Sequence, residues 1–348
     1  MSRSGVPSLI DVARRAGVST ATAGRALGGY GQVREDTRTR VQNAAAELGY
    51  RSNGLARSMI TGSTRLIGVI VTDVANPFFA SALRGITDTT QAAGFDVLLS
   101  STGSDLDAEV RAARVMSEKR ADGTIVAAAD PAHAAHLARL DSAGVPLVLL
   151  DRQITGLPGV GTVMVDHAHA MQDAVQHLLA LGHRDIGIVT EATADRPDHA
   201  PLPSRIRFDA YLAEMAAAGI EVPREWVATA AYDRAAAYAA TMTLLTGTHR
   251  PTALVCTDSV LASGAFRAVQ DRGIAVPRDL SIIGFDDDTW TTLVRPELTV
   301  VAQPSYELGE YSARHLIGRI TDDGEQARDI RLRATLAHRA STAPPPPR

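Results

Sequence analysis

Charged and aromatic side chains follow several short apolar runs in the larger, C-terminal part of this 348-residue chain. If those runs are parallel strands, these side chains lie at the carboxyl edge of a sheet, where open α/β folds bind their ligands. Carboxylates and an arginine can bind hydroxyl groups there, and aromatic faces can pack on rings. The candidate residues are Asp73, Asn76, Phe78, Phe79, Asp151, Arg152, Asp166, His167, Thr257, Asp258, Asp286 and Trp290. The pattern predicts a cleft for a polyhydroxylated or heterocyclic small molecule.

Some of the same positions allow other interpretations. Asp258 is equally well explained as the cap of the helix that follows it, because aspartate at a strand end often caps the next helix. His167 with His169, or His133 with His136, could be metal ligands. However, a His-x-His pair on a helix directs its two rings apart, and the second pair falls on a predicted surface helix. We therefore expect no catalytic residue, no metal and no cofactor, and we interpret the protein as a non-enzyme.

The elements that must position the cleft residues alternate between short apolar runs and helix-length segments. The runs are typical of buried parallel strands, because a strand covered on both faces is continuously apolar. They are 66–71, 96–99, 123–126, 145–150, 186–189, 252–255 and 280–283. Repeated strand–helix–strand units build parallel sheets with helices on both faces. The units are too many for one compact sheet, so the pattern predicts two α/β lobes.

The distribution of charge sets the first sixty-five residues apart. The whole chain has a formal net charge of −4, yet this segment contains ten arginines and four acidic residues. The segment therefore carries about +6 and the remainder about −10. A basic region confined to one end is typical of proteins that bind the phosphates of nucleic acids.

Composition also bounds the compartment and the chemistry. No run is long and apolar enough for a signal peptide or a membrane helix, so we expect a cytoplasmic protein without a membrane partner. The single cysteine, Cys256, excludes an intramolecular disulfide. It carries no nucleophile signature and is favoured as a small buried residue.

Three short helices are predicted in the basic region. Ser8, with an acidic residue three positions later, is a plausible N-cap of the first, and Gly17 permits the turn into the second. Ser19 caps a second helix over 20–27, and a third helix runs over about 37–48. This order and these lengths are typical of a helix–turn–helix, whose second helix enters the major groove of DNA.

The exposed face of the second helix is predicted to carry Thr20, Ala21 and Arg25. Arginine can bind the O6 and N7 atoms of guanine together, while a hydroxyl and a methyl group offer smaller contacts. An alternative, in which Arg25 is solvated or touches only phosphate, stays open at this point.

Motifs along nearly the whole chain, from Ser8 to about Arg339, resemble the LacI/GalR family of bacterial transcriptional regulators. The matching segments are 9–19, Arg25, 33–41, 48–50, 67–79, 150–152, 181–187, 284–287 and 298–304. The resemblance implies a transcriptional repressor whose affinity for its DNA operator is controlled by a small-molecule effector, such as a sugar or a sugar derivative. A plain soluble binding protein is the alternative, but it does not account for the basic helical region.

The resemblance further implies a hinge helix at 53–60 that folds on the operator and inserts an apolar side chain into the minor groove. Met59 stands where the family usually has leucine, and Gly24 where it usually has serine. Two such heads on a homodimer would bind a roughly palindromic double-stranded operator. The predicted DNA-contacting residues are Ser8, Ser19, Thr20, Ala21, Thr22, Arg25, Asn53, Ala56, Arg57 and Met59.

The implied architecture is an all-α helix–turn–helix headpiece at 1–62 and an α/β, two-lobed domain at 66–340 that resembles periplasmic binding proteins. The N-lobe is expected at about 66–161 and 293–320 and the C-lobe at about 162–292 and 321–340. The proline-rich tail at 341–348 is expected to be disordered.

By position in the resemblance, Phe78 and Phe79 match residues that contact the ring of the ligand, Arg207 matches a cleft arginine and Asp286 a cleft acid. His167 and Thr257 replace asparagines that are common in the family. Their loss removes amide groups that can bind sugar hydroxyls, so a common hexose is a less secure expectation. The predicted effector-binding residues are Asp73, Phe78, Phe79, Arg152, Arg207, Asp258, Asp286 and Trp290.

Overall fold

The computed structural model describes residues 7–28, 31–50, 62–191, 202–247, 249–321 and 326–347. Its residues form two compact units, the first containing residues up to 66 with 120–122, and the second containing the rest. The hinge helix expected at 53–60, with Asn53, Ala56, Arg57 and Met59, lies outside the described residues. Among the described helices, none is both long and apolar enough to cross a membrane.

The first unit contains the three predicted helices, which are α1 (Leu9–Ala16), α2 (Thr20–Gly28) and α3 (Glu35–Leu48). Ser8 and Asp11 form a reciprocal capping box at the start of α1. Gly17 ends that helix in the left-handed conformation, with φ of 67°, which only glycine adopts without strain. Val12, Ala23 and Val41, one from each helix, are buried together. Helix α3 begins two residues earlier than predicted, because two acidic residues favour its positive N-terminal end.

The second unit alternates strands and helices throughout. Its helices are α4 (Pro77–Ala92), α5 (Leu106–Glu118), α6 (Ala135–Ser142), α7 (His167–Ala180), α8 (Pro203–Ala217), α9 (Arg234–Leu244), α10 (Ser259–Asp271), α11 (Thr289–Leu293) and α12 (Ser305–Thr321). Its strands are β1 (Leu66–Val71), β2 (Asp96–Ser101), β3 (Gly123–Val126), β4 (Leu147–Leu150), β5 (Gly161–Val165), β6 (Ile186–Glu191), β7 (Val227–Ala230), β8 (Ala253–Cys256), β9 (Ser281–Phe285), β10 (Thr299–Ala302), β11 (Ile330–Leu332) and β12 (Thr335–Ala337).

The twelve strands form two six-stranded sheets, one in each lobe. The order is β11-β5-β4-β3-β1-β2 in the N-lobe and β12-β10-β9-β8-β6-β7 in the C-lobe. Strands β3, β4 and β5 are buried along their whole length, as continuous apolar runs predict for a sheet covered on both faces. Strand β2 differs from that expectation, since it lies at a sheet edge and alternates between exposed and half-buried residues.

The predicted lobe boundaries are wrong at three places. Strand β5 belongs to the N-lobe, which therefore extends to residue 165 rather than 161. Strand β10 pairs with β9, with Val300 opposite Gly284, so it belongs to the C-lobe. Strand β11 pairs with β5, with Ile330 opposite Val163, and so returns to the N-lobe. The chain thus crosses between the lobes after β5, after β10 and after β11.

The expectation of a disordered tail from residue 341 is also wrong for its first residues. Ser341 is fully buried, and its hydroxyl donates to the carbonyl of Ile282 at 2.6 Å and accepts from the amide of Thr299 at 2.7 Å. The amide of Ala343 donates to the Ser281 hydroxyl at 3.1 Å. These hydrogen bonds fix the segment to the C-lobe sheet, although its composition resembles that of a linker.

Helices α4 and α12 approach each other at two glycines. A Cβ atom on Gly85 would lie 2.1 Å from the carbonyl oxygen of Tyr306, and one on Gly309 would lie 1.9 Å from that of Ala82. Both obstacles are backbone atoms, which cannot rotate away. The N-lobe therefore depends on the absence of side chains at these positions.

We expect Gly85→Ala and Gly309→Ala each to lower the free energy of unfolding by about 1–3 kcal/mol, because the added methyl group forces the two helices apart. Gly247→Ala is the matched control, because the nearest atom to its added Cβ would be the carbonyl oxygen of Leu244, 3.4 Å away. Urea denaturation of the three variants measures the difference. Equal stability of all three would contradict this description of the helix contact.

Candidate functional site

A cavity of about 370 Å³ lies between the two lobes, where the carboxyl ends of strands from both sheets face each other. Its lining includes seven of the eight residues predicted from the sequence, namely Asp73, Phe78, Phe79, Arg152, Arg207, Asp258 and Asp286. Its volume is in the range of small-molecule sites. The structure therefore brings the predicted cleft residues together from widely separated parts of the chain.

An aromatic pair forms part of the N-lobe wall. Phe78 and Phe79 are buried in the first turn of α4, with ring centroids 5.1 Å apart and planes at 82°. Asn76 caps this helix by accepting the amide of Phe78 at 2.9 Å, and Pro77 occupies the first turn. The cap and the proline fix where the helix starts, and so place two adjacent rings at the cavity.

Arg207 carries the most extensively bonded charge of the cavity. Its Nη1 donates to the Thr257 carbonyl at 2.5 Å, and its Nη2 donates to Gln303 Oε1 at 2.9 Å and to His167 Nδ1 at 3.1 Å. Its guanidinium carbon lies 4.3 Å from the centroid of the Phe285 ring. The residue is only 5% exposed, so these contacts replace part of the water that an arginine normally binds, while the buried Nε has no hydrogen-bond partner among the described residues.

A second arginine, Arg152, follows β4 on the N-lobe side. Its Nη1 donates to the carbonyl of Ala128 at 2.6 Å, and its burial lowers the pKa of the guanidinium. The residue before it, Asp151, has a positive φ of 61°, as does Asp286 with 65°. Positive φ is uncommon for residues other than glycine and is often found at functional sites.

Two carboxylates lie near each other in the C-lobe wall, Asp286 buried and Asp258 half-buried. Burial and the neighbouring Asp258 raise the pKa of Asp286 to about 7, and burial also raises the pKa of Asp258. Gln303 Nε2 donates to Asp286 Oδ1 at 2.5 Å. Asp258 Oδ1 accepts the amide of Val260 at 2.7 Å, so this residue both caps a helix and lines the cavity.

Tyr232 is a lining residue that sequence reasoning missed. Its hydroxyl donates to Asp258 Oδ2 at 3.1 Å and accepts from Asn76 Nδ2 at 2.7 Å, so it joins the C-lobe to the N-lobe. Burial and Asp258 raise the pKa of this phenol. The residue follows β7, a strand that was not predicted. Glu191 and Gln303 were missed similarly, because the predicted β6 ended too early and β10 was not predicted as a strand.

The predicted ligand contact of Trp290 is not supported. This residue is not among those lining the cavity. Its indole Nε1 donates to Ser259 Oγ at 3.1 Å, and its ring lies 6.3 Å from that of Phe266 in the C-lobe core. Helix α11 starts immediately before it and directs the side chain toward α10.

The histidines and the cysteine lie as follows. His136 is buried against Glu109, with 2.6 Å between Nε2 and Oε1, so its expected place on a surface helix is wrong. His167 is buried, whereas His169 is partly exposed beside Asp173, as opposite directions on a helix require. Cys256 is fully buried, and burial raises the pKa of its thiol to about 12. Among the described residues, no three of these side-chain types come together as a metal site would require.

Helix α2 of the first unit presents the predicted DNA-contacting face. Thr20, Ala21 and Arg25 are exposed, while Ala23 and Ala26 on the opposite face are buried. The residues at the helix start are fixed by Ser19, whose hydroxyl accepts the amide of Thr22 at 3.1 Å. Ser8 is exposed and occupied by the capping box of α1.

Two family models match the chain. Residues 8–53 match the bacterial regulatory proteins of the lacI family, and residues 64–340 match the periplasmic binding proteins and sugar binding domain of the LacI family. The protein therefore belongs to the LacI family of DNA-binding transcriptional regulators with an effector-binding domain. The family resemblance and the two-part fold expected from the sequence are confirmed.

Individual relatives cover nearly the whole chain. Catabolite control protein A of Priestia megaterium is 32% identical over 96% of this chain and 99% of its own length. The lac repressor dimer bound to operator and the anti-inducer ONPF is 25% identical, with a TM-score of 0.84 over 97% of this chain and 100% of its own. A LacI-family regulator from Enterococcus faecium with bound ribose is 28% identical, with a TM-score of 0.68 over 80% of this chain and 99% of its own.

The raised pKa of Asp286 predicts how stability depends on pH. The unfolded chain has the ordinary value of 3.8 and the folded chain about 7, so the ionised carboxylate destabilises the fold and this penalty grows as the pH rises toward 7. We expect Asp286→Asn to raise the melting temperature at pH 8, corresponding to a gain on the order of 1–3 kcal/mol, and the gain to shrink toward pH 5.

Asp279→Asn is the control with the opposite sign. Arg278 and the amide of Ala275 lower the pKa of Asp279 to about 2, so its ionised form stabilises the fold. This variant should be less stable than the parent at pH 8. Melting curves at four pH values measure both, and a loss of stability at pH 8 in Asp286→Asn would contradict the assigned burial of this charge.

Proposed function

We propose that this regulator is a repressor that binds a palindromic operator as a homodimer in the cytoplasm, and that a sugar-like effector in the interlobe cavity controls its affinity for DNA. The observation that carries this proposal is the cavity itself, which is lined by an aromatic pair, by carboxylates and by two hydrogen-bonded arginines. Its residues suit binding rather than catalysis, which agrees with the regulators to which the chain is similar.

The DNA-binding part of the proposal rests on α2. Arg25 is exposed, and its Nη2 lies 3.5 Å from Thr22 Oγ1, an interaction too long to hold the guanidinium firmly. The aliphatic part of the side chain lies beside Gly31, where an added Cβ would come within 3.1 Å of Cδ. The guanidinium is therefore free to extend from the helix, and a bidentate contact to guanine is the interaction that it makes best.

Arg25→Ala is expected to relax sequence preference at one guanine in each half-site, with a cost of about 1–3 kcal/mol. The operator is first selected from random duplexes with the full-length parent protein. Affinity is then measured for that duplex and for variants of it at one fixed salt concentration, because phosphate contacts depend on salt.

Arg14→Ala is the matched control, since Arg14 is exposed on α1 and is paired with Asp11 at 3.3 Å. Its loss should leave the preference among sequences unchanged. If Arg25→Ala weakens binding to every duplex equally, Arg25 contacts phosphate and its assignment to base recognition is wrong.

The homodimer part is supported by the edge of the N-lobe sheet. Among the strands that the structure describes, β2 has a neighbour on one side only, and Leu99 on it and Val74 beside its end are exposed. An exposed apolar strand edge is a surface that natural proteins usually cover. A second copy of the chain would cover it, and would also bring two heads together as a palindromic operator requires.

The effector part of the proposal follows from donor and acceptor chemistry. Hydroxyl groups donate to carboxylates such as Asp258 and Asp286 and accept from guanidinium groups such as Arg207. The apolar face of a sugar ring packs on an aromatic surface such as that of Phe78 and Phe79. D-Ribose is the first probe, because a relative with this fold contains it in its structure.

A thermal-shift screen of pentoses, hexoses, their phosphates and purines, starting with D-ribose, tests the effector site. If a sugar stabilises the parent protein, its affinity for Arg207→Ala and for Asp286→Ala should be at least tenfold lower. This corresponds to a loss of binding free energy on the order of 1.4 kcal/mol or more. Arg267→Ala, an exposed arginine paired with Asp271, is the control. A shift that persists in an Arg207→Ala, Asp286→Ala double variant would place the effector elsewhere.

A further inference from the structure

His167 lies directly behind Arg207 and does not itself line the cavity, although both residues that it bonds do. Its residue exposure is 1%, and it is the first residue of α7, where the chain enters the C-lobe after β5. Its Nε2 lies 3.0 Å from Asp151 Oδ1, and its Nδ1 lies 3.1 Å from Arg207 Nη2. Both ring nitrogens are therefore used, one toward each lobe.

The identities of the partners determine where the proton of His167 is. A guanidinium has only N–H groups and cannot accept a hydrogen bond, so Nδ1 must be the acceptor from Arg207. The carboxylate of Asp151 accepts, so Nε2 carries the hydrogen. The imidazole is then neutral, with its proton on Nε2. This tautomer is determined by the donor and acceptor character of the two partners.

The hydrogen bonds of the neighbouring residues extend this assignment of donors and acceptors. Arg207 donates to His167 and to Gln303, His167 donates to Asp151, and Gln303 donates to Asp286. The chain of donors thus starts at Arg207 and ends on one carboxylate in each lobe. Removing the acceptor at His167 would leave Nη2 bonded, among the described residues, to Gln303 alone.

Protonation of His167 would break this chain of hydrogen bonds. The charged groups that face it are Arg207 from α8 and Asp151 from the end of β4, with Asp166 preceding it on its own element and Arg331 of β11 in the small cavity that it shares. Burial and, after it, Arg207 lower the pKa of His167, although Asp151 and Asp166 act in the opposite direction. A second proton would remove the acceptor and place a positive charge beside the guanidinium.

We propose that His167 is a positioning residue for the effector site, because as a neutral imidazole it holds Arg207 at the cavity and ties that arginine to Asp151 of the other lobe. The inference rests on the proposed function, in which Arg207 binds the effector. It assigns His167 a role in the control of effector binding by pH, and it makes no use of a metal.

The first test needs no effector. Full-length protein labelled with ¹⁵N in its histidines is titrated by NMR, and His167→Asn identifies the signal of His167. We expect the proton on Nε2 at pH 7 and a midpoint of titration below the ordinary 6.5. A proton on Nδ1, or a midpoint at or above 6.5, overturns the proposal.

The second test compares variants that keep or remove the acceptor. In His167→Asn, the amide oxygen can take the place of Nδ1 and does not titrate, whereas His167→Phe keeps a ring without any acceptor. His169→Phe is the control on the same helix, since His169 is partly exposed and lies 3.7 Å from Asp173. A crystal structure of His167→Phe should show the Arg207 guanidinium displaced, and an unmoved guanidinium overturns the proposal.

The third test measures D-ribose binding to the full-length variants from pH 5 to pH 8. His167→Phe should bind about ten- to a hundredfold more weakly at pH 7.5, as expected for the loss of one hydrogen bond to a charged group, while His169→Phe binds normally. His167→Asn should bind D-ribose with an affinity within about threefold of that of the parent protein. Because its amide does not titrate, it should lack the part of the pH dependence of binding that is due to His167. The pH dependence due to Asp286 remains in both.

Failure of the proposed function is recognised separately. If D-ribose does not bind the parent protein, the ribose version of that function is wrong, and the NMR and crystal results alone decide the role of His167. If D-ribose binds the parent protein and His167→Phe equally well at every pH, the positioning role is wrong and the effector site stands.

Discussion

The buried guanidinium of Arg207 is the group on which the arrangement of the site depends. A charge that is 5% exposed is tolerated only when hydrogen bonds replace its lost hydration. Its acceptors come from three separate segments of the chain. Thr257 follows β8, His167 follows the crossing between the lobes after β5, and Gln303 follows the crossing after β10. Hydrogen bonding of the two Nη atoms of one buried guanidinium therefore fixes the chain at two of the three places where it passes between the lobes. The same contacts therefore shape the cavity and hold two of the segments that cross between the lobes.

This shared construction gives the cavity a physical route to the DNA-binding function of the family. A ligand that bonds to Arg207 competes with, or strengthens, the bonds that hold the crossing segments, so it favours one arrangement of the lobes over another. Tyr232 adds a second connection at the mouth of the cavity, from Asn76 of the N-lobe to Asp258 of the C-lobe. Coupling of this kind must be reciprocal, so that DNA binding alters effector affinity by the same factor by which the effector alters DNA affinity.

The sequence predicted the fold well wherever a single physical signal dominated. Continuous apolar runs identified the seven strands from β1 to β9 other than β5 and β7, and the capping residues located α1 and α2. Strand β7 (Val227–Ala230) was missed because its sequence, Val-Ala-Thr-Ala, is not a continuous run of large apolar residues and its burial alternates, and Tyr232 was missed with it. The contact assigned to Trp290 is not supported, because position after a strand does not fix the direction of a side chain, and α11 turns this one toward Ser259 and Phe266. Ser341 shows the same limit, since its partners Ile282 and Thr299 lie 59 and 42 positions earlier in the chain and no local pattern reveals them.

The replacement of asparagine by histidine at position 167 shows why departures from a family pattern need a structure before they are interpreted. From the sequence, the change removes an amide from the sugar site and weakens the expectation of a sugar. In the structure, His167 is behind the cavity, and it supplies one donor and one acceptor, as an amide also does. What the histidine adds is a proton equilibrium, because an amide does not titrate and an imidazole does. The change therefore preserves the hydrogen bonds that hold Arg207 while making them sensitive to pH, and it argues against a simple loss of sugar recognition.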